Sequence, residues 1–140
     1  MNLEICLVKK ENMDSIIPLL GQLNPTISKK VLKNRLRDMI VQGYRCVGVF
    51  DNNRLIGISG IWVLTKYYVG KHVEPDNVYI LPEYQGKGIG KLLMSWIFDY
   101  ARSIGCEASE LNCYTKNEAG KRFWEQLGYE MVAYHFQKQL

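Results

Sequence analysis

Residues 78–93 read Val-Tyr-Ile-Leu-Pro-Glu-Tyr-Gln-Gly-Lys-Gly-Ile-Gly-Lys-Leu-Leu, and this stretch decides the fold. The apolar residues before Pro82 indicate a strand over 77–81 that stops at the proline. Three glycines at alternate positions follow, and an amphipathic helix begins with them. Where a strand leads through glycines into a helix, free backbone N–H groups and the positive end of the helix dipole point at one place. The stretch therefore predicts a binding site for a phosphate group.

Two common phosphate-binding motifs do not fit these glycines. A dinucleotide fingerprint requires G-x-G-x-x-G, and its third glycine is missing whether the motif is counted from Gly86 or from Gly88. A nucleoside-triphosphate P-loop ends in Gly-Lys-Ser or Gly-Lys-Thr, but Leu92 follows Gly90 and Lys91 here. The loop must therefore serve another phosphate-bearing ligand.

The rest of the chain alternates between strand and helix patterns. Apolar residues at helical spacing run from Ile89 to Ile104 and stop at Gly105, which predicts a helix. Asp51, Asn52 and Asn53 form a turn between two β-rich segments, which predicts an antiparallel hairpin. The remaining predicted elements are a strand at 3–8, helices at about 12–23 and 28–43, hairpin strands at 44–50 and 55–64, a strand at 109–114, a helix at 117–127 and a last strand at 129–137.

The motif Q/R-x-x-G-x-G/A does fit, with Gln85, Gly88 and Gly90, and it resembles the central motif of the GNAT superfamily of N-acetyltransferases. Asn117 and the run 123–129, Phe-Trp-Glu-Gln-Leu-Gly-Tyr, resemble the C-terminal signature of the same family. The resemblance implies one α/β domain over residues 1–140, with a mostly antiparallel twisted sheet flanked by about four helices. It also implies transfer of an acetyl group from acetyl-CoA to a primary amine by direct attack in a ternary complex. A non-catalytic acyl-CoA-binding regulatory module is the alternative.

The resemblance also assigns residues to acetyl-CoA. In the family the glycine loop holds the pyrophosphate, the edge of the preceding strand holds the pantetheine arm, and the asparagine contacts the cofactor. Asn117 is equally suited to capping a helix. The residues expected to bind the cofactor are Tyr79, Ile80, Gln85, Gly86, Lys87, Gly88, Ile89, Gly90, Lys91, Asn117 and Trp124.

Amine acetylation needs a group that removes a proton from the ammonium, and a carboxylate often does this. Glu74 stands at the family offset of the base in the histone-modifying branch, and Asp76 at the offset used by polyamine and sugar-phosphate acetyltransferases. Pro75 between them can break a strand, so the choice stays open with Glu74 slightly favoured. A solvated loop carboxylate is an equally good interpretation of either, and His72 is expected to be an exposed loop residue. By resemblance, a backbone N–H near Ile80 stabilises the thioester oxygen.

One position departs from the family. A tyrosine in the C-terminal signature commonly protonates the departing CoA thiolate, but Trp124 stands there, and an indole N–H is too weak an acid. We expect Trp124 to shape the cofactor pocket without giving a proton, with a simple core tryptophan as the alternative. The tyrosines that could replace the acid are Tyr79, Tyr114, Tyr129 and Tyr134. A thiol can also leave as thiolate, since its ordinary pKa is about 8.5.

Composition narrows the function further. The net charge of +4 suits an anionic cofactor. The basic residues are spread along the chain and no nucleic-acid-binding motif is present, so nucleic acid is not expected as a ligand. The four cysteines lack metal-site spacing, so no metal is expected. No apolar run is long enough for a membrane span, and no leader is recognisable at the N-terminus, so we expect a cytoplasmic protein. The acceptor is expected to be a small-molecule or peptide amine, and a homodimer is a family expectation.

Overall fold

The computed structural model describes all residues, 1–140, and is built on one five-stranded sheet. The strands lie in chain order. The first four pair antiparallel, and the fifth pairs parallel to the fourth over only two residues. This confirms the predicted mixed, mostly antiparallel sheet. The strands are β1 (Leu3–Leu7), β2 (Arg45–Asp51), β3 (Arg54–Lys66), β4 (Gly70–Ile80) and β5 (Ala108–Ser109).

Four α-helices flank the sheet, as predicted. They are α1 (Ile17–Leu23), α2 (Lys29–Val41), α3 (Ile89–Ser103) and α4 (Glu118–Gln126), and two 3-10 turns lie at Lys10–Ile16 and Pro82–Tyr84. Side chains cap two of the helices: the Ser28 hydroxyl accepts from the Val31 N–H, and the Asn117 side-chain oxygen accepts from the Gly120 N–H. None of these helices combines the length and apolar composition that a membrane crossing requires.

The core lies between the sheet and the helices packed on it. β2 and β3 contribute β-branched residues that are fully buried, and one face of α3 is buried against the sheet. The buried face of α3 is made by Ile89, Leu93, Met94, Ile97 and Ala101. The β2–β3 turn carries Asn52 and Asn53 at positive φ, the conformation that their short polar side chains tolerate. The buried face of α3 fixes the start of that helix, and with it the glycine loop, against the sheet.

The C-terminal part differs from the prediction. The strand expected at 109–114 is only Ala108–Ser109, and no strand forms at 129–137. Residues 130–140 are exposed, including Met131, Val132, Tyr134 and Phe136. Alternating apolar residues favour a strand, but a strand also needs a neighbouring edge to accept its hydrogen bonds. Residues 130–140 make no backbone hydrogen bond to another strand, and so they do not extend the sheet.

The connection between the strands predicted at 55–64 and 77–81 is shorter than expected. β3 continues to Lys66 and β4 begins at Gly70, so the two strands form a long hairpin. Only residues 67–69 lie between them, with Tyr67 and Tyr68 exposed at the tip. The hairpin therefore adds an early part to β4, and this part carries the candidate catalytic residues.

Candidate cofactor and catalytic site

The glycine loop has the geometry of a phosphate cradle. Gly86 and Gly88 have φ of 75° and 79°, and Gly88 stands at the N-cap of α3. Backbone N–H groups of residues 86–91 find no acceptor within the chain, because they precede the first intrahelical hydrogen bonds. A Cβ built on Gly86 or Gly88 would meet no atom within 4 Å, so this side of the loop is open. The residues present therefore fit a pyrophosphate.

Gln85 ties the loop to the strand that precedes it. Its side-chain Nε2 donates to the carbonyl oxygen of Ile80 over 2.8 Å. The 3-10 turn between them is closed by the Tyr84 N–H, which donates to the Leu81 carbonyl. Lys87 and Lys91 add exposed positive charge to the rim. The loop thus lies at a set position against the end of β4.

α4 packs on the first turn of α3. The ring of Phe123 lies so close to Gly90 that a Cβ there would be 3.2 Å from its Cζ. Asn117 begins α4 as its N-cap, which confirms the capping role; its contact with the cofactor stays a prediction. Trp124 is half-buried and makes edge contacts with Phe123 at 4.9 Å and Tyr129 at 5.6 Å between ring centroids. The C-terminal signature therefore lies beside the glycine loop.

β4 and β5 separate immediately beyond their short pairing. The last backbone hydrogen bond between them is donated by the Glu110 N–H to the Val73 carbonyl over 3.0 Å. At the far end of β4, the Leu81 N–H donates to Ile56 on β3, so the alternation of a strand directs the N–H groups of Val78 and Ile80 away from β3. These two donors face the gap that β5 has left, which places the predicted Ile80 donor at an open edge.

A bulge at Asn77 makes this arrangement possible. Asn77 has φ of 55°, and the pairing of β3 with β4 shifts register at the same place. The extra residue changes which backbone groups face the gap and turns the strand. The Asn77 side-chain oxygen accepts from the buried Tyr44 hydroxyl over 3.2 Å, which stabilises this conformation. Sequence reasoning missed the bulge because Pro75-Asp76-Asn77 is typical of a loop.

Pro75 does not break β4, contrary to the sequence-based concern. It pairs with Ile61 in β3 and is buried. Because Val73 directs its backbone groups toward β5, Pro75, two residues on, has its nitrogen on the same side. β5 has already turned away there, so the missing N–H costs no ladder hydrogen bond.

Glu74 and Asp76 are therefore strand residues on one face of β4, not loop residues. The Glu74 side chain is 22% exposed, and its Oε2 lies 3.4 Å from the Lys66 Nζ. This carboxylate raises the pKa of the Lys66 ammonium. Asp76 Oδ2 accepts from the indole Nε1 of Trp62 over 3.1 Å. Both carboxylates lie where β4 and β5 part, and Glu74 is the one paired with charged groups.

His72 was predicted to be an exposed loop residue, and this was wrong. It lies in β4 with no exposed surface, and its Nε2 is 2.7 Å from Glu74 Oε2 and 3.7 Å from Glu110 Oε1. The strand begins earlier than expected, and so His72 falls on the buried side of the hairpin. The three side chains bring ligand atoms within 4.8 Å of one another, a grouping that sequence spacing did not reveal. No local sequence pattern pointed to Glu110 or Lys66, because only the pairing of the strands brings these side chains close to Glu74 and His72.

The candidate tyrosines fall in different places. Tyr114 and Tyr134 are exposed, and Tyr79 donates its hydroxyl to the Gln22 side chain of α1. Tyr129 is half-buried against Trp124, with its hydroxyl 2.6 Å from Ser109 Oγ at the end of β5. Burial raises the pKa of Tyr129. Of the four, Tyr129 is the one whose hydroxyl lies at the parting of β4 and β5.

Known proteins resemble this chain in sequence and in fold. The L-amino acid N-acyltransferase MnaT of Escherichia coli is 32% identical over 91 residues, which are 65% of this chain and 53% of that protein. The chain thus spans about half the length of this relative. The glucosamine 6-phosphate N-acetyltransferase of Trypanosoma brucei brucei is 28% identical over 138 residues, covering 92% of this chain and 90% of that protein.

A solved structure has the same fold. The aminoglycoside N-acetyltransferase AAC(6')-Iy in complex with CoA superposes with a TM-score of 0.84 over 99% of this chain and 95% of that one, at 15% identity. The model of the acetyltransferase (GNAT) family matches residues 18–129, which include the glycine loop, both candidate bases and α4. This chain therefore belongs to the acetyltransferase (GNAT) family and is an acyltransferase.

Proposed function

We propose that the protein transfers the acetyl group of acetyl-CoA to a primary amine by direct attack in a ternary complex. The observation that carries the proposal is the joining of two features on one strand. β4 leads into a phosphate cradle of unpaired N–H groups. Glu74 and Asp76 lie upstream on the same strand, where β5 has turned away and left an open edge. The cradle would hold the pyrophosphate and the strand edge the pantetheine arm, with Lys87 and Lys91 beside the phosphates.

Glu74 acts as the general base in this proposal, with Asp76 as the alternate. The ammonium gives its proton to the carboxylate, and the freed electron pair of the nitrogen attacks the thioester carbonyl carbon. The new C–N bond forms, the C–S bond breaks, and CoA leaves with the sulfur electrons. The nitrogen releases its second proton to the departing sulfur or to water, which leaves a neutral amide. The carboxylate returns its proton to water through its exposed part. Each carboxylate has one oxygen engaged, Glu74 with His72 and Lys66 and Asp76 with Trp62, so the slight preference for Glu74 rests on its family offset.

Negative charge develops on the thioester oxygen during attack. The backbone N–H of Ile80 faces the gap and serves as the preorganised donor for this oxygen. In this proposal Trp124 forms part of the wall of the cofactor pocket and gives no proton. The thiolate leaves either unassisted or with a proton from Tyr129, whose hydroxyl lies next to Ser109 at the gap.

The acceptor is a small-molecule or peptide amine. The T. brucei relative is named for glucosamine 6-phosphate, the E. coli relative for L-amino acids and the superposed structure for aminoglycosides, all of which carry amines. The carboxylates Glu74, Glu110 and Asp76 outnumber the cations around them at the parting of the strands, and this negative excess attracts an ammonium ion. These carboxylates support a cationic acceptor without selecting one compound.

A homodimer is part of the proposal. The C-terminal segment 130–140 presents four large apolar side chains to solvent, and grouped exposed apolar residues can mark an interaction surface. They are Met131, Val132, Tyr134 and Phe136. A second copy could cover it. Light scattering of the full chain and of a chain ending at Tyr129 tests this: we expect a dimer and a monomer, and a monomeric full chain would contradict it.

CoA release measured with a panel of primary amines tests the proposed reaction. The panel contains free amino acids, glucosamine 6-phosphate, an aminoglycoside and peptides with free N-termini. We expect at least one amine to raise CoA release well above the rate without acceptor, with acetylated amine formed in equal amount. Binding of CoA without release for every amine would instead support a non-catalytic acyl-CoA-binding module.

A further inference from the structure

His72 is buried in an unusual hydrogen-bonding situation. Both ring nitrogens face oxygen atoms: Nδ1 lies 3.0 Å from the carbonyl oxygen of Gly70, and Nε2 lies 2.7 Å from Glu74 Oε2. A carbonyl oxygen can only accept, so Nδ1 must carry a hydrogen. A neutral ring would then turn the lone pair of Nε2 toward a carboxylate oxygen, and two acceptors would face each other. One proton must therefore lie between Nε2 and Oε2.

The position of Lys66 decides which group carries that proton. Glu74 Oε2 also lies 3.4 Å from the Lys66 ammonium, and a cation at this distance favours a bare carboxylate oxygen over a protonated one, so the proton belongs to the ring. The charged and titratable groups around the pair are Lys66 on β3, 3.4 Å from Glu74 Oε2, and Glu110 beyond β5, 3.7 Å from Nε2. Tyr68 at the hairpin tip donates its hydroxyl to Glu110 over 2.7 Å. An imidazolium and the Lys66 ammonium together balance the charge of the two carboxylates.

We propose that His72 is a positioning residue for the base. As imidazolium, it holds Glu74 by Oε2 and leaves Oε1, which has no partner within the chain, to take the proton of the acceptor ammonium. His72 pairs with Ala108 at the short contact between β4 and β5, so the same ring fixes the carboxylate at the point where the strands part. The inference rests on the proposed function only for the role of Glu74 as base.

Histidine ring 15N chemical shifts of the whole protein at pH 7.5 test the protonation directly and need no acceptor. We expect both nitrogens of His72 to be protonated, and we expect only Nδ1 to be protonated in Glu74→Gln, because the amide donates to Nε2. The exposed His135, the other histidine of the chain, serves as an internal reference, and its ring signals should be the same in both proteins. A neutral His72 in the wild-type protein would overturn the proposal.

Kinetics test the positioning role. His72→Gln keeps a donor but cannot hold a positive charge; we expect kcat to fall about tenfold and the acidic limb of the pH profile to move to higher pH. CoA affinity should stay at the wild-type value, which reports a folded variant, and His135→Gln should change neither quantity. A wild-type pH profile in a folded His72→Gln would overturn the proposal. Wild-type kcat in Glu74→Gln would remove the base assignment alone, because the ring shifts still decide whether His72 holds the carboxylate.

Discussion

Phe123 on α4 packs against Gly90 in the first turn of α3 so closely that a Cβ at Gly90 would lie 3.2 Å from the ring, which would have to shift to admit a side chain. The glycine therefore serves the junction between two helices as well as the helix start. This contact joins the two sequence signatures, although 33 positions separate them, and it places Trp124 beside the loop.

Gly90→Val is expected to destabilise the protein by about 1–3 kcal/mol through overpacking against Phe123. Chemical denaturation measures the free energy of unfolding. Ser95→Val, at an exposed position of the same helix, controls for the helix propensity of valine. In a Phe123→Ala background the excess cost of Gly90→Val should vanish. An equal loss for Gly90→Val and Ser95→Val would show that the contact is unimportant.

Glu74→Gln is expected to lower kcat at neutral pH by roughly 100-fold or more and to flatten the acidic limb of the pH profile, because the amide cannot accept the proton. Asp76→Asn should have a smaller effect, since Asp76 is only the alternate to the proposed base. Steady-state rates from pH 5 to 9 measure both. Asp99→Asn, at an exposed position of α3, is the control. If both active-site variants keep wild-type rates at every pH, water or another group deprotonates the amine.

Trp124→Tyr is expected to raise kcat at neutral pH, because a phenol at this position could protonate the leaving sulfur where the indole cannot. Trp124→Phe should be mild. Initial rates under saturating substrates measure the effect, and thermal denaturation reports the packing against Phe123 and Tyr129. Should Trp124→Tyr leave kcat unchanged and lower the stability, the indole is a core residue with no place at the thioester.

Stability should fall in alkaline solution. Burial raises the pKa of the Cys46 thiol from 9.0 to about 12, and burial likewise raises the pKa of the neighbouring Tyr44. Both groups favour folding in their neutral forms, so this stability is complete below pH 9 and is lost as pH rises toward 12. Urea unfolding at pH 8, 10 and 11 measures it, and each group adds a slope of up to about 1.4 kcal/mol per pH unit. A stability that stays constant from pH 8 to 11 would contradict the burial of these groups.

The sequence predicts those parts of the fold whose signals are local. The helix at 89–103 and the capped start at Asn117 follow from periodicity and capping, and the structure confirms both. The burial of His72 and the bulge at Asn77 depend on how β4 pairs with β3, which no local pattern specifies. The prediction of a strand at 129–137 was wrong for the same reason. Alternating apolar residues indicate which side of a strand is buried, but not which strand it pairs with.

The same distinction between local signals and strand pairing applies to the candidate site. The glycine loop could be located from Gln85, Gly88 and Gly90 because a motif and a helix start coincide there. The environment of Glu74 could not, since Lys66 and Glu110 reach it from β3 and from beyond β5. The family offset pointed to Glu74, but only the pairing of the strands showed which charged groups surround its carboxylate.

Calorimetric titration of CoA into the wild-type protein, Gly88→Ala and Gly88→Glu tests the central claim most directly, which is that residues 85–90 hold the pyrophosphate. Gly88 has φ of 79°, so alanine reports the backbone strain alone, about 1 kcal/mol. Glutamate adds a negative charge at the open side of the cradle, where a phosphate must lie. We predict that Gly88→Glu binds CoA at least tenfold more weakly than Gly88→Ala while remaining folded. Equal CoA affinity in the two variants would contradict the account, as would tight wild-type binding of ADP or NAD without binding of CoA.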